Sequence, residues 1–167
     1  ALTRLAKIDL PEISKIKASE KVYNYRNKLE FTFSNKKWLT PEQICTDADF
    51  GNRNGLGFHI PGLFDKVLDI DHCHLQEEPS NAIRNAVRSY ALENQLPFFD
   101  IREQLGLLRN MIVRSTSTGE WMVIIAFYYD DKPVIAGLLD HLAGLFPQIT
   151  SLQYVINPKK NDTIGDL

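Results

Sequence analysis

The sequence predicts an α+β fold: antiparallel β-sheet with two main helices packed on one side. Three observations lead there. Short runs such as KLEFTFS alternate apolar and polar residues, two longer runs repeat apolar residues at helical spacing, and the strand-like runs come in pairs joined by tight turns. The resulting order, β-β-α-β-β-α-β, suits hairpins that share one apolar face with the helices between them.

The elements follow in chain order. ALTRLAKI is helical in pattern, with Leu2, Leu5 and Ile8 on one stripe, but it begins with no N-cap. ISKIKAS predicts a short strand. KLEFTFS is a strand with Leu29, Phe31 and Phe33 on one face and Glu30 and Thr32 on the other. CTDADFGNRNG, rich in Asp, Asn and Gly, is a loop. LGFHI and KVLDI are two strands, with PGLFD as the connection between them. A helix then starts at Ser80, a suitable N-cap, and carries Ile83, Val87, Tyr90, Ala91 and Leu92 before Pro97 stops it. LLRNMIVRS and EWMVIIAFYY form a second hairpin through TSTG, where Gly119 supplies the turn. PVIAGLLDHLAGLF is the second helix, with Pro133 in its first turn and Pro147 beyond its end. SLQYVIN is the last strand, and NDTIGDL approaches a further one.

A chain of 167 residues suits one domain and can bury a core. With 44% hydrophobic and 24% charged residues the composition is that of a soluble globular protein. No apolar run is long enough for a membrane span, so no membrane partner is expected. Two cysteines make no disulfide framework and predict a reducing cytoplasm. The ends read as cut, which suggests a piece of a longer protein. The rival is a whole small protein, which would ordinarily begin with Met.

Net charge is −2 but uneven. The first 40 residues hold nine Lys/Arg against four acids, +5, which leaves −7 for the rest. A basic end on an acidic body permits a nucleic-acid face; from charge alone a solvated lysine-rich surface is the favoured reading.

Sequence motifs give no self-contained active site. Gly55-Leu56-Gly57 lies in a loop context without the strand-turn-helix setting of a dinucleotide or S-adenosylmethionine site. There is no phosphate loop, no HExxH and no CxxC. Cys45 has no base near it in sequence. His72 and His74 flank Cys73 but point away from it if the segment is extended, so the triplet is a poor metal site. One cluster stands out: Tyr23, Tyr25, Arg26, Asn27 and Lys28 lead into the strand KLEFTFS.

YNYRNKLEFTF, GLGFHIPGLFDKVLDIDHCHLQ, GLLRNMIVRSTSTGEWMVII and NPKKNDTIGDL, in that order, resemble the middle part of the RNA (uracil-5-)-methyltransferases, most of all the branch acting on 23S rRNA. The resemblance covers nearly the whole chain. It implies the central domain of a three-part enzyme, between an N-terminal RNA-binding barrel and a C-terminal methyltransferase domain. That last part would bind S-adenosylmethionine and carry the nucleophilic cysteine and the general base. No catalytic or cofactor-binding residue is therefore expected within 1–167, and the chain alone is expected to be inactive.

The resemblance gives the aromatic–basic cluster a role. Arg26 and Lys28 would neutralise phosphates, and Tyr25 would stack on an unpaired base. In the competing reading, Tyr23 and Tyr25 pack on the sheet while Arg26 and Lys28 pair with acids such as Glu30. Arg109 and Arg114 match positions often basic in the family; they either extend the RNA face or serve in salt bridges. Cys73 matches the fourth thiolate ligand of a 4Fe–4S cluster, whose other three cysteines would lie upstream of residue 1. One thiolate cannot hold a cluster, so none is expected on this chain by itself; a packed thiol is the alternative. The expected partner is RNA, specifically 23S rRNA. A rival of a different class is a free-standing interaction module, supported by the acidic balance of residues 41–167.

Overall fold

The computed structural model describes residues 2–45 and 51–164. Its strands are β1 (Lys28–Ser34), β2 (Gly55–Ile60), β3 (Leu63–Asp69), β4 (Leu108–Ser115), β5 (Trp121–Phe127) and β6 (Ile149–Ile156). Its helices are α1 (Pro41–Cys45), α2 (Ser80–Glu93) and α3 (Lys132–Leu145). The strands form one sheet in the order β3-β2-β1-β4-β5-β6.

Alternation explains the central pair. Leu29, Phe31 and Phe33 of β1 and Met111 and Val113 of β4 are buried against the helices. In register, Phe31 faces Met111 and Leu29 faces Val113. Their sequence neighbours Lys28, Glu30, Ile112 and Arg114 therefore point to the sheet's other side. Both main helices lie on the first side. α2 contributes Ile83, Val87 and Ala91 to the core, and α3 contributes Ile135, Leu138 and Leu142. The helices touch closely where α3 has no side chain: a Cβ on Gly137 would meet the Tyr90 hydroxyl at 2.7 Å. The β4–β5 turn takes a positive φ of 87° at Gly119, a conformation glycine adopts without strain.

The sheet is antiparallel except at one edge, where β5 and β6 run parallel. α3 crosses back over the sheet between them, and a helical crossover returns the next strand in the same direction.

Four local expectations are corrected. ISKIKAS forms no strand; Ile13 and Ile16 are exposed and the segment has no ladder partner. Two apolar residues three apart cannot hold a lone segment extended against a sheet. The PGLFD connection is shorter than predicted, because Leu63, Phe64 and Asp65 already belong to β3 and only Pro61 and Gly62 turn. Ser80 is not an N-cap. Pro79 takes that position, and the Ser80 hydroxyl donates instead to Gln76 Oε1 at 2.6 Å. NDTIGDL makes no strand approach through residue 164.

α1 was not foreseen, although its signal was present. The Thr40 hydroxyl accepts from the Gln43 N–H, and the Gln43 side chain accepts from the Thr40 N–H, a reciprocal cap. A helical turn does form at Leu2–Ala6, but Leu5 and Ile8 of its predicted stripe are exposed. Of the loop read at CTDADFGNRNG, residues 46–50 lie outside the described residues, residues 51–54 form neither helix nor strand, and Gly55 already opens β2.

Candidate nucleic-acid interface

The strand entry is fixed from both sides by backbone hydrogen bonds. Asn24 N–H donates to the His74 carbonyl and Arg26 N–H to the Leu75 carbonyl, each at 2.8 Å. Ser115 N–H donates to the Asn27 carbonyl at 2.9 Å, next to the β4–β5 turn. The side chains, by contrast, stay free of the core. Tyr25 is 54% exposed and Tyr23 65%, the latter lying beside the His74 ring at 5.5 Å. The tyrosines do not pack on the sheet.

Four of the five basic and aromatic candidates converge here. Lys28 stands opposite Arg114 in the β1–β4 ladder, with Tyr25 and Arg26 just beyond it. Arg26 and Arg114 are exposed and make no ion pair among the described residues. Lys28 does pair with Glu30, at 3.4 Å, with both side chains about 40% exposed. An exposed pair of this kind contributes about 0–1 kcal/mol and exchanges readily for a phosphate.

Two adjoining hollows open at this end. One, of about 430 Å³, is lined by Lys28, Arg114, Trp121, Met122 and Thr150 among others. The second, of about 490 Å³, is lined by Lys21, Tyr25, Arg26, Ser117 and Gly119 among others. Asn27, Ser115 and Thr116 form the ridge between them. Glu77 and Glu120 sit on the rims. They are partly engaged: Glu77 with Lys21 at 3.1 Å, and Glu120 with the Thr118 hydroxyl at 2.8 Å. The arrangement offers cations, amide and hydroxyl groups and one exposed ring to a nucleic-acid strand.

Arg109 is removed from this face. It sits where the β4–β5 register shifts, between Leu108 and Asn110, and such a bulge re-aims a side chain. Its side chain is fully buried. One amino group donates to the carbonyls of Asn157 (2.7 Å) and Lys159; the other donates to the Asn161 carbonyl (3.2 Å) and to Asp162 Oδ1 (2.8 Å). The guanidinium also lies over the Phe99 ring, 4.4 Å from its centre. Of the two roles the sequence left open, the salt bridge is the one Arg109 performs.

Cys73 is buried within the core. Asn81 of α2 clamps its backbone: the side-chain oxygen accepts from Cys73 N–H at 2.7 Å, and the amide donates to the Cys73 carbonyl at 3.2 Å. The rings of His72 and His74 meet edge to face at 4.4 Å, while Cys73 is buried in the core. Among the described residues no group of three or more His, Cys, Asp or Glu side chains could hold a metal ion. Cys73 is a single free thiol packed in the core.

Arg84 was missed by the sequence reading. It is fully buried, donates to Asn81 Oδ1 at 3.0 Å and Asn85 Oδ1 at 3.2 Å, and its Nε–H has no partner. Burial pushes its guanidinium below the ordinary arginine value and the neighbouring Arg88 adds to this; Cys73, Asp69 and Asp71 pull the other way. The available signal was an arginine falling on the apolar stripe of α2, one turn before Val87 and Arg88.

No helix among the described residues is long and apolar enough to cross a membrane.

No family model matches the chain. Curated proteins do. A Porphyromonas gingivalis protein named "Uncharacterized RNA methyltransferase" is 54% identical over 99% of this chain and 37% of its own length. A protein of the same name from Bacteroides thetaiotaomicron is 53% identical with the same coverage. One from Chlorobaculum tepidum is 31% identical over 99% of this chain and 35% of its own length. The crystal structure of the Pyrococcus abyssi tRNA (uracil-54, C5)-methyltransferase in complex with S-adenosyl-L-homocysteine shares the fold. It superposes with a TM-score of 0.59 over 87% of this chain and 30% of that one, at 20% identity. The chain thus spans little more than a third of the length of the curated relatives it matches. Aligned almost end to end at more than half identity, it belongs to the family of these RNA methyltransferases.

Proposed function

We propose that this chain is the central, RNA-positioning part of an S-adenosylmethionine-dependent RNA (uracil-5-)-methyltransferase that acts on 23S rRNA in the cytoplasm. The observation that carries the RNA role is the convergence of Tyr25, Arg26, Lys28 and Arg114 at one end of the β1–β4 ladder, with Arg26 and Arg114 unpaired among the described residues. The names of the curated relatives and the fold shared with a uracil-C5 enzyme support the chemistry.

In this reading the reacting groups lie elsewhere in the full-length protein. A cysteine thiolate there adds to uracil C6, C5 takes the methyl group that S-adenosylmethionine supplies, and a base removes the C5 proton. The residues described here hold the strand: Arg26, Lys28 and Arg114 on phosphates, Tyr25 on a base turned out of the helix. Cys73 supplies one thiolate to a 4Fe–4S cluster whose other ligands lie outside this chain.

The test is methyl transfer from labelled S-adenosylmethionine to 23S rRNA and to tRNA, both lacking 5-methyluridine. The full-length protein should label uracil C5 in 23S rRNA, and residues 1–167 alone should label neither. Labelling confined to tRNA would overturn the ribosomal substrate. Labelling by the isolated chain would overturn the placement of catalysis outside it.

A further inference from the structure

Strand register sets a graded row of side chains on the face of the sheet that the helices leave bare. Lys28 of β1 stands opposite Arg114 of β4, Arg114 opposite Met122 of β5, and Met122 opposite Ser151 of β6. Partners in register share a face, so these four side chains cross four neighbouring strands in one line. The adjacent line, Leu29, Val113, Val123 and Leu152, faces the helices and packs into the core. The bare line reads cation, cation, thioether, hydroxyl.

All four residues line the hollow of about 430 Å³, together with Asn27 and Trp121. That volume lies within the range of pockets that take small ligands. Lys28 and Arg114 are exposed at one side of it, while Met122 and Ser151 are half-buried. The far side is held in place. A register shift between Trp121 and Met122 brings Ser151, and not Thr150, opposite Met122. The Thr150 hydroxyl donates to the Trp121 carbonyl at 3.0 Å. Ser151 Oγ accepts from the Gln153 side chain at 2.9 Å, which leaves its O–H to donate into the hollow.

A nucleotide presents its groups in the same order: a charged phosphate, a flat ring with apolar faces, and a polar ring edge. The scale agrees too. Neighbouring strands lie about 4.8 Å apart, so the line from Arg114 to Ser151 covers about 10 Å, the reach of one nucleotide. A base inside a duplex cannot enter such a hollow, because its faces are stacked and its edge is turned to its partner.

We propose that Lys28, Arg114, Met122 and Ser151 form a subsite for one unpaired nucleotide, with the phosphate on the two cations, the base face on Met122 and the base edge toward the Ser151 hydroxyl. The proposal rests on the RNA face described above and deepens it. It makes the substrate single-stranded at this point and lays the backbone over β1 and β4, the base over β5 and β6. Tyr25, across the ridge in the second hollow, is left for a neighbouring base.

The experiment uses the full-length protein that carries this chain. The probe is oligouridylate containing 4-thiouridine, whose base cross-links under near-ultraviolet light to side chains it touches; mass spectrometry reads the cross-linked residue. Affinity is measured in parallel, across a salt series, for oligouridylate and for a chain of equal length with abasic sites. The parent should cross-link at Met122, and a fully paired duplex bearing the same base should not. Met122→Ala should bind oligouridylate several-fold more weakly, the scale of one stacked base, with the abasic chain and the salt slope unchanged. Arg114→Ala should instead lower the slope by about 0.7 for both chains. The parental cross-link needs no variant, so a destabilised Met122→Ala leaves the test intact. Cross-links confined to Tyr25, or a parental preference for oligouridylate over the abasic chain in a folded Met122→Ala, overturn the subsite and leave the RNA face standing. A cross-link at Met122 from the duplex overturns the single-stranded assignment. No cross-link within residues 1–167, with a parental salt slope in Arg114→Ala, overturns the RNA face and the subsite with it.

Discussion

The two ends of the β1–β4 ladder carry arginines five positions apart on one strand, and they are opposite in character. At one end Arg109 is fully buried and gives hydrogen bonds to four acceptors in residues 157–162. At the other Arg114 is exposed, faces Lys28 across the ladder and pairs with no acid among the described residues. Both positions read as basic in the same motif. The difference shows that residue type and strand assignment do not decide whether a cation builds the fold or waits for a ligand. Burial and acceptor count decide it.

The largest expected effect is at the anchored end. Arg109→Met removes one donor from each of the carbonyls of Asn157, Lys159 and Asn161 and from the carboxylate of Asp162. Leaving a buried ionic partner unpaired costs about 3–5 kcal/mol; Asp162 is partly exposed and can regain water, so about 3 kcal/mol is expected. For a chain of this size that is roughly 6–12 °C in melting temperature. A loss below about 1 kcal/mol, measured by urea unfolding, would mean that residues 157–162 hold their course unaided, and the contrast between the two ends would collapse.

A second effect belongs to the same end. Burial pushes the Asp100 carboxyl up. Hydrogen bonds from Lys36 and Asn35 and from the backbone N–H of Glu103 and Arg102 override that and bring it down to about 2. A carboxylate depressed in the folded state stabilises it above its unfolded value near 4. That contribution is fully present at neutral pH and is lost as pH falls from about 4 through about 2. Asp100→Asn should lower stability at pH 7 and flatten its dependence between pH 4 and 2. An unchanged slope in the mutant would show that Asp100 is not what ties the end of β1 to the segment before β4.

How much of this was legible follows from the same contrast. Alternation in KLEFTFS and helical spacing from Ile83 to Ala91 identified the core strand and helix, because burial on one face writes a period into the sequence. The bulge at Arg109 writes none, since the shift depends on how β4 meets β5. The parallel edge of β6 was hidden similarly, because a strand's own pattern does not reveal its neighbour's direction. The reciprocal cap of Thr40 and Gln43 was readable and was overlooked. At the candidate interface, sequence order supplied Tyr25, Arg26 and Lys28 together, but only register brought Arg114 opposite them. Asn81 and Arg84 looked like ordinary helix residues, because a clamp on Cys73 eight residues away is a tertiary fact.

The smallest expected effect on stability is at the open end, and it is the most informative about function. Arg26→Ala and Arg114→Ala remove exposed side chains that form no ion pair among the described residues, so each should change unfolding free energy by less than about 0.5 kcal/mol. Their effect should appear only when RNA is present. Deleting one cation that neutralises a phosphate of single-stranded RNA lowers the slope of log affinity against log salt by about 0.7. The double variant should therefore bind single-stranded RNA more weakly at low salt and approach the parent at high salt, at unchanged melting temperature. Glu30→Gln is the internal control: it frees Lys28 from its exposed pair, so it should bind no more weakly than the parent. If the double variant keeps the parental salt slope, the open end is a solvated surface, and its lack of acidic partners carries no functional meaning. If it instead loses stability as Arg109→Met does, the two ends of the ladder are alike and the exposed arginines belong to the scaffold.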